Sequence, residues 1–321
     1  MPVGNSDNGV GLWAGQIMFA LDNTNQYIDW WHEALPGAEE GFDHEGTLMS
    51  TILVPKLTIG LSNYWNITIS QSIGNRSMNW NGGETTIHHR DEGTHTSFLN
   101  AIGGYFGDTE IVGRYLFFND GVGAGKRFFV GGGLKIPSKS TLTSDPFFLN
   151  GEQQKEHRHF SLSEGVYKTI LEAQLFFKRD LNPVFFGGTF KAEIPIKDNS
   201  YGFTGSSLYS ASFSSLTKEI KLIKGSLGLR SSLRYTTKAY WNGKEAPNSQ
   251  AVIFTAGGGG VWGLKSGTLG VNISKPIFLV GAFSSIEGQQ KQRVKTWQIS
   301  FGFRKLFDFN IPFLDPFKRV D

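Results

Sequence analysis

Apolar and polar residues alternate with a period of two along most of this chain, the signature of strands whose two faces meet different surroundings. Over 296–304, Trp297, Ile299, Phe301 and Phe303 share one phase, while Gln298, Ser300, Gly302 and Arg304 take the other. Trp65, Ile67, Ile69 and Ile73 oppose Asn66, Thr68, Ser70 and Arg76 in the same way. Leu227, Leu229, Leu233 and Tyr235 likewise oppose Arg230, Ser232, Arg234 and Lys238. Twelve such segments are expected, at about 10–21, 47–61, 64–77, 108–118, 127–137, 165–178, 184–197, 206–220, 225–241, 251–264, 267–283 and 293–307. Most run for 10 to 17 residues. Globular strands usually have about 5 or 6, whereas a tilted strand needs roughly 9–11 to cross a bilayer. Segment 206–220 is Ser-rich and alternates poorly, and 97–107 reads as loop. Lys275-Pro276 interrupts the phase and predicts a bulge.

The connections alternate too. Those at 22–46, 78–107 and 138–164 are long, while those near Ser62-Asn63, at 119–126, 179–183, 221–224 and 265–266 are short. Long loops on one side and short turns on the other are the habit of outer-membrane barrels. The expected fold is therefore all-β: a single transmembrane antiparallel β-barrel of about 12 strands, with long extracellular loops and short periplasmic turns. One domain spans 1–321, with strands over about 10–307 and a periplasmic tail at 308–321.

Composition narrows the classes. Gly makes up 41 of 321 residues, aromatics 14%, and charged residues 18%, below the roughly 25% of a soluble domain. The chain is too aromatic and too weakly charged for a disordered segment. There is no Cys, which removes disulfides, thiolate metal sites and a Cys nucleophile. A net charge of +3 gives no footprint for nucleic acid. A mean hydropathy of −0.22 is compatible with a barrel, because alternating strands average to near neutral. The start, Met1-Pro2-Val3-Gly4-Asn5-Ser6-Asp7, has neither a basic nor an apolar region of a secretory signal. For an outer-membrane location the signal is expected to have been removed.

The polar phase of the strands is the candidate lumen lining. It carries Lys56, Arg76, Arg114, Arg127, Lys135, Lys168, Lys178, Lys191, Arg230, Arg234, Lys238 and Arg304, against only Glu110, Glu172 and Glu193. The compensating acids fall in loops. Segment 22–46 holds Asp22, Asp29, Glu33, Glu39, Glu40, Asp43 and Glu45 with no Lys or Arg. Such a lining favours anionic or polar solutes, unless loop carboxylates fold inward and cancel it. Aromatics at strand ends suit interfacial girdles: Tyr64, Trp65 and Trp262 on the short-turn side, and Tyr167, Tyr240, Trp241 and Trp297 on the long-loop side.

All seven His lie in the first three long loops: His32 and His44; His88, His89 and His95; His157 and His159. With nearby carboxylates, His88, His89, His95, His157 and His159 are candidate ligands for a divalent metal ion in the extracellular loops. Their spacing matches no named metal motif. Catalytic signatures are poor, with no GxSxG elbow and no P-loop, and no enzyme activity is expected. The glycine run 257–260 reads as a bend or a close backbone approach.

Two segments resemble a family. Tyr105-Phe106-Gly107-Asp108-Thr109-Glu110-Ile111-Val112-Gly113-Arg114-Tyr115 resembles the GLGD-type strand start of the "meta-pathway of phenol degradation" transporter-like outer-membrane family. Phe129-Val130-Gly131-Gly132-Gly133-Leu134-Lys135-Ile136-Pro137-Ser138 resembles that family's strand ending in a Leu-Pro-Thr-Gly-type turn. This chain departs from the pattern with Phe-Gly-Asp and Ile-Pro-Ser, and its His-bearing loops lie outside it. The resemblance implies an outer-membrane channel for small, often hydrophobic compounds, in the style of long-chain fatty-acid transporters. It transfers no catalytic residue and no substrate.

The expected function is passive uptake of small hydrophobic or anionic solutes across a bacterial outer membrane, with lipid and solute as partners and no nucleic acid. The alternative is an anchored scaffold whose acidic, His-bearing loops hold a metal ion or a surface or periplasmic protein. The apolar tail, with Phe309, Ile311, Phe313, Leu314 and Phe317, is expected to fold back over the periplasmic opening.

Overall fold

Each strand forms because its alternate side chains have different destinations. One phase faces lipid, and the other packs inside a sheet that closes on itself and leaves no edge. The computed structural model describes residues 12–33, 43–80, 95–96, 105–120, 123–145, 161–281, 283–284 and 292–314. In chain order the strands are β1 (Gln16–His32), β2 (His44–Gly60), β3 (Trp65–Trp80), β4 (His95–Thr96), β5 (Phe106–Asn119), β6 (Gly125–Ile136), β7 (Lys168–Lys178), β8 (Phe185–Pro195), β9 (Phe203–Thr204), β10 (Leu208–Leu216), β11 (Ser226–Thr236), β12 (Tyr240–Trp241), β13 (Lys244–Glu245), β14 (Ala251–Leu264), β15 (Gly267–Val280) and β16 (Gln292–Asn310). The twelve long ones form a closed antiparallel barrel, each paired with its neighbours in sequence, and β1 joins β16 to shut the ring. β4 extends β3 by two residue pairs, and β9, β12 and β13 make a small separate sheet at the long-loop end.

The exterior is an apolar belt. Leu57, Ile69, Leu134, Leu171, Phe190, Phe213, Leu229, Ile273, Ile299 and Phe301 are all exposed on it. Tyr64 and Trp65 stand at its short-turn end, and Tyr27 and Trp297, cross-strand neighbours, at the other. A closed antiparallel barrel with this belt is the architecture of the bacterial outer membrane.

The structure corrects several expectations. Segment 22–32 is not loop but the outer half of β1, and β2 begins at His44, so the first long connection shrinks to 33–43. Met18, Ala20, Asp22, Ile28 and Trp30 continue one buried phase. Asn23 and Asn25 fall on the opposite, lipid-facing phase and hide the alternation. They satisfy each other there, with Asn25 Nδ2 donating to Asn23 Oδ1 at 2.5 Å and Thr51 Oγ1 donating to Asn25 Oδ1 at 2.9 Å. Pro276 pairs in register with Thr255, and the β14–β15 register shifts instead between Val252 and Ile253. Trp241 is no girdle residue. Only 2% exposed, it packs with Leu142, Ala239, Ala246 and Phe203 beneath the loop sheet. At the C-terminus β16 runs to Asn310, and the Ile311 N–H donates to the Gly15 carbonyl at 2.8 Å before a 3₁₀ turn at Pro312–Leu314. Phe313 points to solvent, 86% exposed, instead of into the barrel. Residues 315–321 lie outside the described residues.

Inward-facing apolar side chains fill the periplasmic half of the lumen. Phe129, Phe176, Leu116, Leu216 and Val261 are buried there, Phe176 stacks on Phe185, and Phe185 packs against Leu216 and Val261.

Candidate functional site

Above this apolar floor the interior becomes charged and opens into two adjoining cavities. The lower one, about 290 Å3, is bounded by Lys56, Arg114, Glu172, Lys191, Glu193, Arg230 and Arg234 among others. The upper one, about 520 Å3, runs toward the outer mouth past Arg76, Lys135, Lys168, Leu48, Leu162 and Phe203. Arg234, Glu193 and Leu208 border both.

Most of the expected lumen cations meet a carboxylate. Arg114, 3% exposed, grips Glu172 from Nε at 2.5 Å and Nη2 at 3.1 Å, and its Nη1 donates to Thr68 Oγ1 at 2.7 Å. Gln174 donates its amide to the same carboxylate. Lys135 and Lys191 both lie between Glu110 and Glu193, at 3.5 and 2.9 Å for Lys135 and 2.8 and 2.8 Å for Lys191. Together they form an alternating four-charge ring that spans β5, β6 and β8. Lys168 bonds Glu164 at 2.6 Å and the Ser206 carbonyl at 2.7 Å. On the opposite side Asp22 sits between Lys56 and Arg304, at 2.9 Å from each, and is 1% exposed. Interleaved opposite charges of this kind satisfy burial far better than lone ones.

Three further arginines border the cavities. Arg76 donates to the Ser161 carbonyl at 2.7 Å, which pins the returning loop inside the barrel. Arg230 and Arg234 stand two strand repeats apart on β11. Among the described residues neither side chain forms an ion pair or a hydrogen bond. Ser214 and Gly257 are the cross-strand neighbours of Arg230, and Ser210 and Ile253 those of Arg234. Gly257 could not be larger. A Cβ there would fall 2.3 Å from the Ile273 carbonyl oxygen, and at Gly259 1.9 Å from that of Val271. The glycine run thus lets β14 and β15 approach closely.

Lys238 is a correction. β11 stops at Thr236, and Lys238 lies in the outer loop, half exposed, with its ammonium 2.9 Å from Glu245. Asp22 and Glu164 were missed in the opposite sense, since both looked like loop acids yet neutralise interior cations. The unbroken even phase from Met18 through Trp30 was the available signal for Asp22. The resemblance segments meet in space. β5 pairs with β6, and the Ser138 N–H donates to the buried Asp108 carboxylate at 3.1 Å, so Asp108 holds the Pro137-Ser138 turn.

Of the candidate metal ligands, His88, His89, His157 and His159 lie outside the described residues, and for His95 only the backbone is described, in β4. His32 and His44 face each other across β1 and β2, with ring centroids 4.8 Å apart and nearly perpendicular. Among the described residues no three His, Asp or Glu gather as a metal site.

No family model matches the chain, and no curated protein matches its sequence. Its fold is similar to that of the COG4313 outer membrane channel from Pseudomonas putida F1, with a TM-score of 0.59 at 12% identity over 94% of this chain and 99% of that one. A deltaS2 mutant of the TodX monoaromatic hydrocarbon channel scores 0.45 at 8% identity over 95% and 93% of the two chains. A FadL homologue of Pseudomonas aeruginosa scores 0.40 at 9% identity over 97% and 99%.

Proposed function

We propose that this barrel is a passive outer-membrane channel for small solutes, hydrophobic or anionic, and performs no catalysis. The observation that carries the reading is the pair of adjoining cavities, which lead from the outer mouth to mid-lumen along a wall of charged and short polar side chains. The described part of the 138–164 loop folds into that path. Ser140, Thr141 and Leu142 are buried, and Leu162 packs on Ile28 and Trp30. Loop and apolar floor would act as the two constrictions, and a hydrophobic floor passes apolar solutes more readily than ions. The resemblance to the phenol-degradation transporter family and the likeness in fold to a structure named as an outer membrane channel support the same reading. The scaffold alternative depends on His residues outside the described part of the chain.

Swelling of proteoliposomes tests the proposal. Barrel-containing vesicles should swell in iso-osmotic solutions of small organic solutes faster than empty ones. Widening the floor by Phe129→Ala and Phe176→Ala should raise the rate further. Swelling no faster than that of empty vesicles, for both wild type and the widened variant, would remove the channel reading.

A further inference from the structure

The basic wall of β11 is more specific than a generally cationic lining. Arg234 lies at the junction of the two cavities, exposed within them, and among the described residues has no carboxylate and no hydrogen-bond acceptor. Arg76 borders the upper cavity with it, close enough for the two like charges to interact. Arg230, below it, feels Asp22, but that carboxylate is already shared by Lys56 and Arg304. On the β5–β8 wall Glu110 and Glu193 are engaged by two lysines each and Glu172 by Arg114; of the other acids bordering the upper cavity, Glu164 pairs with Lys168 and Asp108 accepts from the Ser138 N–H. An anion entering from outside therefore finds a guanidinium fork ready for two parallel hydrogen bonds, without first having to break a pair. The rest of the upper cavity is lined mainly by polar and charged side chains, with one apolar patch. Phe203, Leu208, Leu162 and Leu48 border it alongside Arg234. Its volume of about 520 Å3 lies within the roughly 300–1,000 Å3 of small-molecule sites.

We propose that Arg234, with Arg76 facing it, is a binding station for a small organic carboxylate, whose charged end sits on the guanidinium and whose apolar body lies against Phe203, Leu208 and Leu162. The proposal deepens the channel reading and rests on it for its biological meaning, since it names the solute class the lumen would select. Chloride or phosphate would find the charge but gain nothing from the apolar lining. A neutral aromatic would find the lining but leave the guanidinium unanswered. Arg230 then offers the next station on the inward path, with Ser210, Ser212 and Ser232 as short hydroxyl-bearing neighbours along the lower cavity.

Calorimetric titration of sodium benzoate into the full-length barrel, folded in detergent micelles, tests the station, with benzamide as the neutral isostere and acetate and phosphate as anions lacking an aromatic body. Benzoate should bind saturably, benzamide below detection, and the two other anions more weakly. Arg234→Gln should weaken benzoate at least about ten-fold, the usual consequence of losing a charge-assisted pair. Arg234→Lys should recover only part of the loss, because charge without the fork is retained. Retention of the compact, heat-modifiable band in electrophoresis confirms that the variants are folded. Should Arg234→Gln not fold, raising KCl from 0.05 to 0.5 M with wild type must weaken benzoate and leave any benzamide signal unchanged. Absence of benzoate binding, equal binding of benzamide, or an unaltered affinity in Arg234→Gln would overturn the proposal. Binding without vesicle swelling would sink the channel and keep the site. Swelling without binding would do the reverse.

Discussion

Two walls of the same lumen use the same residue types to different ends. On the β5–β8 wall, Arg114, Lys135 and Lys191 each touch a carboxylate, and Glu110, Glu172 and Glu193 are engaged in turn. On β11, Arg230 and Arg234 stand among two serines, a glycine and Ile253, without such a partner among the described residues. The first wall is a strut. Its charges are spent on one another, so it adds rigidity and little net field. The second wall keeps its field for whatever enters. A count of lumen cations would treat the two alike, yet only uncompensated charge acts on a solute.

Removing one partner on each wall should separate them most clearly. Glu172→Gln leaves Arg114 buried without its counter-ion and should cost about 3–5 kcal/mol, read as an earlier urea midpoint for loss of the heat-modifiable band. Arg230→Gln, which breaks no pair, should leave that midpoint within about 0.5 kcal/mol of wild type. Equal losses would mean that the β11 arginines are structural too.

A smaller effect concerns selectivity. Replacing Arg230 and Arg234 together by Glu should move the reversal potential in a salt gradient from anion toward cation preference. Replacing Lys135 and Glu193 together by Gln, which removes a neutral pair, should move it little. A larger shift from the paired wall would invert the comparison.

The smallest effect is expected outside the lumen. Lys238 and Glu245 form an exposed pair on the loop sheet, and Lys238→Ala should change neither the urea midpoint nor the reversal potential measurably. The bond to Glu245 raises the Lys238 pKa, so whatever the pair contributes is present at neutral pH. On the alkaline side it is lost as the pH rises past the ordinary lysine value and through the raised one. A selectivity change in this variant would return Lys238 to the conduction path.

What could be read from the chain was what period-two alternation encodes locally. The twelve strands and the apolar belt followed from it. Reading failed where the local pattern is blurred. Outward Asn23 and Asn25 made the upper half of β1 look like an acidic loop and hid Asp22. A basic side chain just past the end of β11 made Lys238 look like lumen. Phe313 looked apolar enough to fold over the barrel opening, but it points to solvent, and inward aromatics from other strands line the periplasmic half of the lumen.

By itself, then, the sequence determined which face of each strand a residue occupies, because that depends only on its position in a repeat of two. It did not determine which charges meet. Arg114 and Glu172 are 58 residues apart, as are Lys135 and Glu193, while Lys191 reaches Glu110 across 81. Those encounters depend on the register of every intervening strand and on closure of β1 against β16, which together decide how high on the wall each side chain stands and what faces it across the lumen. Pairing is a property of the closed ring, and so, among the described residues, is the absence of pairing at Arg234.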